Sequence, residues 1–277
     1  MNRLLNSSLI TFVSALLAVT SAKAINYGVY DFANNQSQSH RFQVEHIFVP
    51  YGADLIRQLN NMHDRGRKPL VTIEPWGCTL ADTFSGKKDA VIKRMAQEVV
   101  YFGKPVIIRW GHEMENQNGR YPWAHKAPAS YIAAYRHFVT LFRSIAHNAK
   151  FIWSPIGDNG CQRYYPGSDV VDYCGLSVYC LPQFDQRYYG HARTFTEIMN
   201  EKYGRVSRFG KPVVIAEFGV SGNNKTGWLA TALGAMKNYK LLATVVFFNA
   251  VDTPGAWGIG ISTPNWALTP SMVALIP

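Results

Sequence analysis

The sequence of 277 residues has few features of several common classes, and each lack narrows its function. After the first two dozen residues no apolar run approaches the roughly 20 residues that a bilayer-spanning helix needs. Lysine and arginine outnumber aspartate and glutamate, 28 to 18, for a formal net charge of +10. Yet no five basic residues run together, which argues against a nucleic-acid tail and for a generally basic surface, one able to attract an acidic polysaccharide or the cell envelope. Cysteine is scarce: Cys78, Cys161, Cys174 and Cys180 match no zinc or redox spacing. Linkers, low-complexity tracts and short repeats are missing too, so one domain is expected.

What is present begins with a leader. Arg3 gives a positive start, Leu9 to Val19 an apolar stretch, and Ala22-Lys23-Ala24 a small-x-small cleavage signal. Residues 1–24 therefore read as a signal peptide cleaved after Ala24, with secretion or a periplasmic location as the consequence; a retained N-terminal anchor is the alternative. Residues 25–277 have the size of a single (β/α)8 barrel, about 250 residues. An oxidising compartment allows one disulfide, four free thiols being the alternative. Cys161 and Cys180 lie beyond successive expected strands and form the favoured pair, while Cys174, inside an apolar strand, reads as a small buried hydrophobe.

Short runs of β-branched and aromatic residues alternate with amphipathic segments, the order that produces a parallel sheet. Eight strands are expected, over 26–30, 45–50, 69–74, 106–110, 151–154, 171–178, 213–217 and 244–249. Between them Val91, Met95, Val99 and Phe102 make one apolar helical stripe, and Ile132, Tyr135, Phe138, Val139, Phe142 and Ile145 another. Thr194 and Glu197 form a capping box ahead of a third helix. The first and last helices are weak: Asn34–His40 is polar, and only Pro270–Ile276 is left to close the barrel. The fold class is α/β, a single-domain TIM barrel.

Two strands end in glutamate, Glu113 after 106–110 and Glu217 at the end of 213–217. An acid where a buried strand runs out is costly without a partner or a task. In a (β/α)8 barrel the active site forms at that end of the strands, which also brings in Glu74, Arg109, His112, Tyr179 and Asn249. Cleaving a glycosidic bond needs a protonated carboxyl beside the leaving oxygen and a carboxylate beneath the sugar ring. Trp76, Trp110, Tyr121, Trp123 and Trp257 are candidates to stack on sugar faces. Alternatives stand beside each. Either glutamate could pair structurally with an arginine; Glu74 rivals Glu217 by periodicity, and Glu115 rivals Glu113. His112 could be a satisfied buried histidine, and most tryptophans are packing residues before they are platforms.

The run Arg109-Trp110-Gly111-His112-Glu113-Met114, then Asn118-Gly119-Arg120-Tyr121-Pro122-Trp123, resembles the family 26 glycoside hydrolases. The resemblance continues through Trp153-Ser154-Pro155, Tyr164-Tyr165-Pro166-Gly167, Val171-Asp172, Gly175-Leu176 and Ile215-Ala216-Glu217-Phe218-Gly219, in order. It implies a retaining β-glycanase, with Glu113 as acid/base and Glu217 as nucleophile. Tyr179 would then hydrogen-bond the nucleophile, His112 would orient the pair or contact the sugar, and Trp123 would wall a subsite. Arg109 shares strand parity with Glu113, so a cation can point inward and favour a charged Glu217. The sequence departs from the family's pattern at Glu115-Asn116-Gln117, which lengthen a loop, and at Gly111, Ile156 and Ser177. These departures bear on the substrate more than on the mechanism.

The leader and the resemblance together imply an exported endo-β-glycosidase acting on a β-linked polysaccharide, a β-1,4-mannan or a β-glucan, with no metal or organic cofactor. A polysaccharide-binding or exopolysaccharide-assembly protein on the same barrel, without turnover, is the rival. Release of reducing ends from β-glycans separates the two.

Overall fold

The computed structural model describes residues 24–277; the expected signal peptide, but for Ala24, lies outside the described residues. Eight parallel strands close on themselves in sequence order. They are β1 (Asn26–Tyr30), β2 (Val44–Pro50), β3 (Lys68–Glu74), β4 (Val106–Trp110), β5 (Ala149–Trp153), β6 (Tyr173–Cys180), β7 (Val213–Val220) and β8 (Leu242–Phe248), with β1 hydrogen-bonded to both β2 and β8. Around them pack α1 (Ile56–Asp64), α2 (Leu80–Phe84), α3 (Asp89–Phe102), α4 (Pro128–Ile145), α5 (Pro182–Tyr189), α6 (Phe195–Ser207), α7 (Lys225–Met236) and α8 (Pro270–Leu275). None of these helices is long and apolar enough to cross a membrane.

Local chemistry accounts for most boundaries. α4 opens with Pro128, whose missing N–H is no loss in a first turn. It buries Tyr131, Ala134, Tyr135, Phe138, Val139 and Phe142, a stripe turned slightly from the expected one, since Ile132 and Ile145 are only half-buried. α3 ends at Gly103 with φ 70°, the left-handed cap that glycine adopts without a Cβ penalty. α6 starts with the Thr194–Glu197 capping box, both of its reciprocal hydrogen bonds formed.

Two connections lack an α-helix. Asn34–His40 forms turns rather than a first helix. It has no apolar stripe to bury, and its backbone is held otherwise: Asn35 and Gln36 N–H groups donate to Asp31, and Arg67 takes the carbonyls of Gln36 and Ser39. Between β5 and β6 there is only a 3₁₀ turn, Cys161–Tyr164.

Strand parity sets what faces the barrel interior. Val44, Leu70, Ile152, Val214, Ala216 and Val246 form an inner cluster, while Val106, Ile108, Trp110, Ile215 and Phe218 pack outward against the helices. β7 breaks the alternation. Leu176 of β6 pairs with Ile215 and Ser177 with Glu217, so Ala216 is the extra residue of a β-bulge. Ala216 and Glu217 consequently both turn inward, and Phe218 returns to the helix layer.

Candidate active site

The strand ends enclose a cavity of about 680 Å³, with Glu113, Ser177, Tyr179, Glu217 and Phe248 at its base. Asn118, Arg120 and Tyr121 line one side; Phe184, Tyr188 and Trp257 line another.

Glu217 reaches this base through the bulge and meets two donors. Arg109 Nη1 donates to its Oε1 at 2.6 Å, and Tyr179 Oη donates to its Oε2 at 2.9 Å. Arg109 is fully buried, so its cation offers little solvation elsewhere and a carboxylate is its natural partner. His112 Nε2 stands 3.9 Å from the same oxygen. Burial and the neighbouring Arg109 charge hold the His112 imidazole well below its usual range, so it is neutral there.

Glu113 is placed by an uncommon backbone. Its φ is 53°, in the left-handed region that costs a non-glycine residue energy and concentrates at functional sites. The conformation is held because Glu113 N donates to the Ser154 carbonyl at 2.8 Å. Ser177 Oγ donates to Glu113 Oε1 at 2.6 Å. Burial pushes the Glu113 carboxyl up to about 7, with the charge of Glu217 adding to the rise and Arg109 and Ser177 opposing it.

β6 supports both acids from below. Its inward residues are Gly175, Ser177 and Tyr179. A Cβ on Gly175 would fall 2.4 Å from Ser154 Oγ, so only glycine lets β5 and β6 approach there. Buried Lys202 of α6 donates from Nζ to the Ser177 carbonyl at 3.1 Å and the Ile156 carbonyl at 3.2 Å.

Other expected participants are placed differently. Trp123 is 1% exposed and cannot wall a subsite. It stacks under Tyr121 at 4.7 Å and donates from Nε1 to the His112 carbonyl at 2.7 Å, so the ring in the cavity is Tyr121. Trp110 is likewise core, stacked on Phe138 of α4. Trp76 is 44% exposed and donates to Glu74 Oε2 at 3.1 Å. Glu74, its carboxyl raised mainly by burial, makes no direct hydrogen bond to Glu217. Glu115 is a structural acid, accepting from the Gly157 and Asp158 N–H groups at 2.9 and 3.2 Å. Asn249 bridges Asp31 and the Leu268 N–H.

The Cys161–Cys180 bridge is not formed, and all four thiols are free. Cys180 Sγ points to the Arg193 carbonyl at 3.4 Å and Cys161 to Gln162, so the two sulfurs have separate neighbours. Among the described residues no group of three or more His, Cys, Asp or Glu side chains is arranged to hold a metal ion.

The model of glycosyl hydrolase family 26 matches residues 85–220, a span that contains both Glu113 and Glu217. Endoglucanase H of Acetivibrio thermocellus is 30% identical over 245 residues, 81% of this chain. Residues 85–220 belong to glycosyl hydrolase family 26. Among other relatives, the mannan endo-1,4-beta-mannosidase of Bifidobacterium adolescentis is 28% identical over 159 residues, 54% of the chain. The chain spans only 27% and 16% of the lengths of these two relatives. The fold is shared with the GH26 beta-mannanase of Bacteroides ovatus, at a TM-score of 0.64 and 16% identity over 91% of this chain and 86% of that one. A modular endo-beta-1,4-mannanase from Cellulomonas fimi matches with the same score and identity, over 91% and 68%.

Proposed function

We propose that the chain is a retaining endo-β-glycosidase that cleaves a β-linked mannan or glucan by double displacement. One observation carries the reading: two carboxyls at the base of one cavity have opposite surroundings. Glu113 is buried, with its carboxyl raised to about 7, while Glu217 accepts from a guanidinium and a phenol. That division suits an acid and a nucleophile.

In the first step a Glu217 oxygen attacks the anomeric carbon as the glycosidic C–O bond breaks, and the proton of Glu113 passes to the leaving oxygen. In the second, Glu113 takes a proton from water, the water oxygen bonds to the anomeric carbon, and Glu217 departs as a carboxylate. Ser177 donates to Oε1 of Glu113, which leaves the other oxygen to carry the acid proton toward the leaving group. Neutral His112 beside Glu217 adds no charge that would compete with Arg109. The printed names of the relatives, an endoglucanase and a mannan endo-β-mannosidase, support a β-linked glucan or mannan as the substrate.

Reducing-end release from a panel of mannans and β-glucans tests the activity, and NMR of the first-formed anomer tests retention. Glu217→Ala should lose turnover on every substrate. Glu113→Ala should keep the first step on an activated aryl glycoside, with azide restoring the second. Inversion, or full activity of Glu217→Ala, would overturn the assignment. Export belongs to the same proposal and rests on Arg3, the Leu9–Val19 stretch and Ala22-Lys23-Ala24; a mature N-terminus at Ile25, read by mass spectrometry, is the expected result.

A further inference from the structure

We propose that the cleft face of α5 is a distal subsite for a neutral β-linked glycan chain, formed by Phe184 and Tyr188 with Trp257 of the loop after β8. The inference rests on the reading above and extends it to where the rest of the polymer lies.

α5 is fixed in rotation by its other side. Asp185 is fully buried and accepts from the Arg193 N–H at 3.1 Å and Nε at 3.0 Å. Arg193 also pairs with Glu201 and covers the Tyr189 ring at 3.6 Å. With that side locked, Phe184 and Tyr188, one turn apart and 4.5 Å between ring centres, face the cavity that holds both catalytic carboxyls. Phe184 meets Trp257 at 5.3 Å, and Trp257 meets Tyr179 at 5.6 Å. An unbroken aromatic path therefore runs from the phenol on Glu217 to Tyr188 at the rim, 57% exposed.

Phe184 and Trp257 pack against the buried Leu181, Ile261 and Trp266, and polar contacts tie α5 to the loop after β8. Gln183 binds the Gly260 carbonyl and the Ser262 N–H, at 3.1 and 2.9 Å, and Arg187 donates to the Ile259 carbonyl at 2.8 Å. Trp257 Nε1 donates to Asp252 at 2.8 Å. Half-buried rings leading to an exposed one at a cavity rim mark a binding surface, and ring faces suit the apolar C–H faces of sugars. Arg193 is already matched by Asp185 and Glu201, and Arg187, 5.6 Å from the Tyr188 ring centre, is directed to the Ile259 carbonyl. That favours a neutral chain over a polyuronate, and continuity with the cavity makes its occupant the same polymer the carboxyls would cleave.

The test compares chain lengths. Binding of manno- and gluco-oligosaccharides, disaccharide to hexasaccharide, is measured by calorimetry in a Glu217→Ala background, with and without Phe184→Ala/Tyr188→Ala. The hexasaccharide-to-disaccharide affinity ratio is expected to fall about tenfold, which corresponds to about 1.4 kcal/mol shared by the two rings. Should the double variant not fold, Tyr188→Ala alone is expected to lower the ratio about threefold. An unchanged ratio, an equal loss at both lengths, or tighter binding of polyuronate oligomers than of neutral ones overturns the subsite, as does a dimer of the parent that the substitutions abolish. If the parent with Glu217 intact binds with this length dependence yet releases no reducing ends, the hydrolase reading fails and the subsite stands. If it hydrolyses the polymers but the ratio is unaffected, only the subsite fails. No binding of any chain overturns both.

Discussion

At the residue scale the least legible partner is Ser177. The two glutamates can be read from the sequence because each ends a run of β-branched residues, and Arg109 because strand parity points it inward. Ser177 reads there as a departure affecting the subsites, yet its hydroxyl lies 2.6 Å from Glu113. Nothing in the spacing reveals this, because the contact joins residues 64 apart, from β6 to the turn after the non-adjacent β4. Trp123 is the converse: composition makes it a platform, while its indole N–H finds a backbone acceptor in the core. A pH prediction follows from the geometry. The acid must be protonated, so kcat/KM should fall as pH rises through about 7, the value to which burial raises Glu113. The Ser177 hydroxyl favours the ionised form, so Ser177→Ala should move this limb to higher pH; a downward shift would contradict the assigned donor.

At the scale of elements, the eight strands are legible to within a few residues and the helices less so. The expected sixth strand starts early because Val171 is apolar and buried, although the ladder begins at Tyr173. α5 gives no core-facing stripe, since its locked side is the Asp185–Arg193 pair and its aromatics face the cleft. Periodicity finds helices that bury apolar faces and passes over those held by charge. The β5–β6 seam gives a sharp prediction. Gly175→Ala would set a methyl against Ser154 and against Ile152 Cγ2, 2.9 Å away. Overpacking of that kind costs about 1–3 kcal/mol, and Ser154 also supplies the carbonyl that holds Glu113. Denaturant unfolding and kinetics should therefore both register the change; a variant of parental stability would mean that the seam has slack.

For the whole molecule, closure of the barrel makes two distant sequence runs one site. Leucine, valine and isoleucine periods announce the closure, but they do not show which connections go without a helix. The polar 34–40 segment, read as a weak helix, is held by Asp31 and Arg67 instead. The cysteines belong at this scale too. Burial pushes the Cys161, Cys174 and Cys180 thiols up to about 12, which makes them poor nucleophiles for exchange. Thermal unfolding should be unaffected by dithiothreitol, and mass spectrometry of the non-reduced protein should find no linked peptides; a lower melting temperature in reductant would argue for a bridge.

The buried acid also sets the protein's melting temperature against its activity. An unfolded glutamate has its ordinary value near 4.5, whereas burial in the fold pushes the Glu113 carboxyl up to about 7. Because the folded value is the higher, Glu113 destabilises the fold at high pH: the penalty is absent below 4.5, grows between the two values and is complete above about 7. Its size is on the order of a few kcal/mol. Glu113→Gln keeps the shape and an acceptor for Ser177 but carries no charge. This variant, expected to be inactive, should melt above the wild type at pH 8 and together with it at pH 4, a divergence that calorimetry can resolve. The parent would then be the less durable of the two at neutral pH, and thermal stability alone would be a misleading guide when its variants are screened for the proposed activity.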